Sequence, residues 1–183
     1  VKSEAIMAKD LERYDASALI GLPVIVVNGA KEITETGDDG EPETYVHIHQ
    51  MEELAAAAAM ARCLMPHRLR GCEIRAVRKI LGLTARELSD AMGENTAVET
   101  ISRWEAETVV PGGYAEKLLR LTVCEALKEK ARGVEYDPQK LIRTHMIECD
   151  RTKPNTAPKM VFKRVLVKSD KKLDDSWTEL KAA

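Results

Sequence analysis

The sequence has no pair of cysteines spaced as C-x-x-C; Cys63, Cys72, Cys124 and Cys149 are scattered singly. Structural zinc sites draw on closely spaced Cys and His pairs, so their absence argues against a zinc ribbon or finger. The nearest approximations are His47-x-His49 and Cys63-x3-His67 with Cys72 nearby. Neither matches a zinc interval, and Pro66 would distort the helix the second one needs, so no metal is expected. No apolar run reaches membrane-span length; the longest, Leu54 to Ala61, is alanine-rich and too short. No secretory pattern opens the chain, so the cytoplasm, with reduced thiols, is the expected address. Also missing are a glycine-rich phosphate loop, a G-x-S-x-G elbow and a paired-carboxylate pattern. Neither an enzyme nor a cofactor is expected on those grounds.

What is present is an ordinary globular composition, 44% hydrophobic and 32% charged, in 183 residues, enough for one large or two small domains. The net charge of -2 hides an uneven distribution. Residues 1–54 hold four Lys/Arg against twelve Asp/Glu, a balance of -8. Residues 62–133 hold thirteen against ten (+3), and residues 151–183 nine against four (+5). The acidic end is thus separate from a part that can face phosphates.

Residues 1–13 read as a short polar helix or a loose terminus. Val24 to Val27, Asn28-Gly29 and Ala30 to Thr36 read as a β-hairpin, because Asn-Gly between β-branched runs favours a tight turn. Thr44 to His49 returns as a third strand, and Met51 to Leu64 is an alanine-rich helix with Leu54, Ala58, Ala61 and Met65 on one stripe. Pro66 to Gly71 marks a boundary. Helices are expected over 72–81, 84–92 and 96–106, then from Tyr114 to Arg132, which Gly133 ends. Asp137-Pro138 starts another, to about Glu148. Residues 151–159 form a linker, and Lys159 to Lys168 alternates as a strand that can join the N-terminal sheet. The expected divisions are 1–65, 66–133 and 134–183. The expected fold class is α+β, mostly α: a small antiparallel sheet with one helix, then a helical bundle, then a C-terminal helix and strand.

Residues 81–105, LGLTARELSDAMGENTAVETISRWE, carry the most information. Thr84 with Glu87 and Thr96 with Glu99 both have capping-box spacing, and Gly93 supplies a helix stop. Two capped helices joined by a tight turn suit a module that lays its second helix in a major groove. From Ile74 through Ser102-Arg103-Trp104-Glu105 to the LLRL at 118–121, the chain resembles the phage-repressor (Xre/Cro) class of helix-turn-helix proteins. More loosely, over about residues 14–125, it is similar to MqsA-type antitoxins, although the cysteines that hold zinc in that family are missing here. The spacing from Gly93 to Ile101 is two residues longer than that class uses. This leaves open which of Asn95, Thr96 or Ala97 reaches a base.

Ile74, Val77, Leu81, Leu83, Leu88, Met92, Ile101, Trp104 and Leu118 are assigned to packing, with Trp104 a core anchor beside Ile101. The opposite face of the third helix presents Thr96, Ala97, Glu99, Thr100 and Arg103 as candidate base readers. Arginine can pair bidentately with guanine, and threonine can meet a thymine methyl or a phosphate. Glu99 either completes a cap or accepts from cytosine, and Arg103 either reads a base or pairs with Glu99 at i,i+4. Thr84 and Arg86 stand at a helix N-terminus, which favours a phosphate. Arg68, Arg70, Arg75, Arg78 and Lys79 complete a candidate backbone clamp. The expected partners are double-stranded DNA with a palindromic operator and a second copy of the chain. The helix 114–132 is the candidate dimer contact, unless its apolar arc closes the monomer core. The looser resemblance implies a toxin partner held by the acidic N-terminal part.

Overall fold

The computed structural model describes residues 7–93, 96–154, 157–169 and 172–180, and its architecture is α+β. Among the described residues, five strands form one mixed sheet: β1 (Met7–Asp15), β2 (Val24–Thr36), β3 (Pro42–Ile48), β4 (Met160–Ser169) and β5 (Lys172–Glu179). The hub is β2, whose β-branched run Val24-Ile25-Val26 is buried. β1 lies antiparallel along one edge of β2. Along the other edge, β4 runs parallel to Val24–Val27, and β3 runs antiparallel to Ala30–Thr36 further on. β5 is antiparallel to β4 on the outside.

Three expectations are corrected here. Asn28-Gly29 does not turn the chain, because β2 runs straight through it as one strand. Leu11 pairs with Ala30 and Arg13 with Val27, so Glu12 alone faces both Asn28 and Gly29. That is a β-bulge, with Asn28 at φ 53 supplying the positive dihedral that a turn would also have needed. Residues 7–13 belong to β1 rather than to a helix or a loose end; residues 1–6 lie outside the described residues. The C-terminal strand does join the N-terminal sheet, but parallel to β2, and it brings β5, which the sequence reading lacks. With β1 and β5 added, the fold is richer in strand than "mostly α".

A short helix, α1 (Ser17–Ile20), links β1 to β2, and α2 (Met51–Leu64) packs across β4 and β5. The expected apolar stripe on α2 is too narrow. Leu54 and every residue from Ala56 to Cys63 are buried, because alanine side chains let the sheet, α3 and α6 all approach closely. The remaining helices are α3 (Gly71–Ile80), α4 (Ala85–Met92), α5 (Val98–Glu105), α6 (Gly113–Leu127) and α7 (Pro138–Arg143). Both α6 and α7 end about one turn earlier than expected. Leu118, assigned to the core, is 43% exposed on α6. One cluster of buried apolar side chains runs from β2 through α2 into α3–α6. Among the described residues, no helix is long and apolar enough to cross a membrane.

Candidate nucleic-acid interface

α4 begins as its sequence dictates. Thr84 Oγ1 accepts from Glu87 N at 3.2 Å, and Glu87 Oε2 accepts from Thr84 N at 2.7 Å. The Thr84 backbone N–H beside it holds the Glu87 carboxyl below its usual range. Leu88, Ser89 and Met92 turn inward, leaving Arg86, Asp90 and Ala91 in solvent. The helix stops at Gly93, with φ 101 and ψ 169, an extended positive-φ conformation rather than the left-handed helical one.

The second expected cap is not made. α5 takes Ala97 as its N-cap, without a side-chain bond. Thr96 is spent differently, its carbonyl accepting from Ser89 Oγ at 2.5 Å. Glu94 and Asn95 lie outside the described residues, so Asn95 as a base contact has no placement. Freed from capping, Glu99 is exposed, and it has no partner among the described residues. Nor does Arg103 pair with it: the Arg103 side chain is exposed and unpaired in the same sense. The inner face of α5 buries Ile101 fully and Trp104 to 5% exposure, as packing residues. The outward set is therefore Ala97, Glu99, Ser102 and Arg103, with Thr100 and Val98 half-buried at its edges. Ser102 was missed by the sequence reading, although its i+3 spacing from Glu99 puts it on the same face.

Glu105 anchors α5 to α3, its carboxylate receiving Arg78 at 2.5 and 3.0 Å and Arg75 at 3.3 Å. Arg78 also donates to the Leu83 carbonyl at 2.9 Å and so holds the α3–α4 turn. These partners keep Glu105 ionised against its own burial.

Two further members of the expected phosphate clamp, Arg68 and Arg70, have structural jobs. Arg68 donates to Glu116 at 2.9 Å, to Glu148 at 2.7 Å and to the Pro111 carbonyl. Arg70 pairs with Glu107 at 2.7 and 3.1 Å and reaches the Lys153 carbonyl at 2.9 Å and that of Arg151 at 3.3 Å. The Arg70 hydrogen bond is the main reason that the Glu107 carboxyl falls to about 2. Deeper still, Arg62 pairs with Glu73 through two 2.7 Å bonds, and Arg120 pairs with Glu116. Both guanidiniums also bond carbonyls in the chain from Cys63 to Arg68, which ties that link to α2 and α6. Arg68, Arg70 and Arg78 are thus withdrawn from the clamp, since every nitrogen of each guanidinium is already bonded to a carboxylate or a backbone carbonyl and none is left for a phosphate.

Of the thirteen Lys/Arg in residues 62–133, those without a partner among the described residues are Lys79, Arg86, Arg103 and Lys130. Three of the four sit on α3, α4 and α5. Arg75 is half-exposed with one long bond. Among the described residues no three His, Cys, Asp or Glu side chains converge on a metal position, and the four cysteines are free thiols. Compared with known proteins, the chain matches no family model, no curated protein and no solved structure.

Proposed function

We propose that this chain is a sequence-specific DNA-binding transcriptional regulator, a repressor that reads the major groove with α4 and α5 as a helix-turn-helix. The observation that carries the reading is the sorting of the basic side chains. Internal carboxylates take Arg62, Arg68, Arg70, Arg78 and Arg120, and the cations left over include Arg86 on α4 and Arg103 on α5. In this reading Arg103, Ser102, Thr100 and Glu99 face base edges, with Thr96 and Ala97 at the start of the helix. Arg86, Thr84 and Lys79 meet phosphates, with Arg75 at the margin. One such module reads few base pairs, so a homodimer on a palindrome completes the site. The exposed Tyr114 and Leu118 on α6 are the proposed contact between copies. A role on DNA also places the protein in the cytoplasm.

The test is binding of Arg103→Ala and Arg86→Ala to a selected operator and to random duplex across a salt series. Arg103→Ala should cost about 1–3 kcal/mol and flatten preference at one base position. Arg86→Ala should weaken all sequences alike and lower the salt dependence by about one counterion. Parent protein that selects no sequence from a random pool refutes the proposal.

A second reading, an antitoxin that binds a toxin and represses its own operon, is favoured by the acidic end. β1 and β3 are exposed along nearly their whole lengths, and the -8 balance of residues 1–54 suits a basic protein partner. Association with a basic protein that is unchanged in Arg103→Ala, whose operator binding is weakened, separates this role from the first.

A further inference from the structure

The sheet carries a cleft of about 590 Å³ on ground that the DNA-binding proposal does not use. It opens at the bulge, where β2 passes from its pairing with β4 to its pairing with β3 and those two strands diverge. Asn28 and Gly29 form the floor and take part in no strand pairing. Asn28 keeps its left-handed backbone there without being glycine, a local strain of the kind that recurs at ligand sites.

The polar side chains of the lining divide by strand, with Lys31 on β2 between the two walls. β1 lies on one side of β2 and contributes Asp10 and Glu12. β3, the residue after it and β4 lie on the other side and contribute His47, His49 and Arg164. Asp175 orients the second wall: it receives Arg164 through a two-pronged contact, 2.9 Å on one oxygen, and lies 3.0 Å from His49 Nε2. Arg164 keeps Asp175 ionised, and only two of the five guanidinium N–H donors are spent on it. On the first wall, Asp10 has Lys31 at 3.4 Å, whereas Glu12 has no partner among the described residues.

We propose that this cleft binds a basic amino acid, with its side-chain cation at the Glu12 wall and its carboxylate at the wall of His47, His49 and Arg164. The walls stand two strand spacings apart, about 10 Å. A ligand must span that gap, which selects an amino acid with a long cationic side chain over a compact one. The volume lies in the range of small-molecule sites, about 300–1,000 Å³. No lining residue belongs to α4 or α5, and the site stands whether or not the chain binds DNA.

The probe is L-arginine, titrated into the full chain and followed by NMR without DNA. Agmatine lacks the carboxylate, and pentanoate lacks both the guanidinium and the α-ammonium. L-arginine should shift the Asn28, Gly29, His47 and His49 resonances saturably, and each half-ligand should bind at least about tenfold more weakly. Glu12→Gln should weaken arginine about tenfold and leave pentanoate unchanged, while His47→Gln should weaken both. Both side chains are exposed and unpaired among the described residues, so neither variant threatens folding. The proposal is overturned by an absence of saturation up to about 10 mM. It is equally overturned if agmatine binds as tightly as arginine, or if both variants bind like the parent.

Discussion

Glu116 is the side chain whose loss should be felt most. It is fully buried on α6 and takes four hydrogen bonds. One oxygen accepts from Leu69 N at 2.8 Å and from Arg120 at 2.7 and 3.2 Å; the other accepts from Arg68 at 2.9 Å. Glu116→Ala removes all of these at once. Arg68 retains Glu148 and a carbonyl, but Arg120, 1% exposed, is left with carbonyls and no counter-charge. Removing one partner of a buried ion pair costs about 3–5 kcal/mol, because the other charge stays desolvated. At roughly 2–4 °C per kcal/mol for a chain of this size, melting should fall by about 6–20 °C. Thermal melts and urea titrations of Glu116→Leu, Arg120→Met and their combination make a double-mutant cycle, with Glu116→Ala measured beside them. The double variant should be more stable than Glu116→Ala by at least about 1 kcal/mol, since no lone charge remains inside. A Glu116→Ala melting point within about 2 °C of the parent would show that the pair is not buried as described.

Acid stability should depend on Glu107. Its carboxyl titrates at about 2 in the fold against a usual 4.5, so its contribution is complete above pH 4.5 and is lost as pH falls towards 2. Glu107→Gln should lower stability at pH 7 and flatten the acid limb between those values; an unchanged limb in pH-dependent urea melts refutes the assignment. Gly29→Ala should destabilise by about 1–3 kcal/mol, because an added Cβ would stand 2.2 Å from the Trp177 ring, which is packed in the core. Near-UV circular dichroism should report the displaced indole; an unperturbed spectrum together with a parental melting point would show that the bulge has room.

Much of the helical part was legible from residues alone, and the reason is locality. The Thr84–Glu87 cap, the Asp137-Pro138 start and the inward pairing of Ile101 with Trp104 depend on neighbours within four positions. The fate of the arginines was not legible. Arg68, Arg70, Arg78 and Arg86 are the same residue type in similar local surroundings. What separates them is a carboxylate 48 positions away for Arg68, 37 for Arg70 and 27 for Arg78, while Arg86 meets none among the described residues. The strands divide in the same way. β4 alternates and could be seen, whereas β1 is an exposed edge of mixed polar residues and shows no period-2 signal. Asn28-Gly29 has the dihedral preference for a turn and for a bulge alike, and β1 pairing straight across it decided for the bulge. Local chemistry thus determined most of the longer helices and where α4 and α7 begin. Only long-range packing decided which charges stay in the interior, which remain on the surface, and that the last strands of the chain lie beside β2.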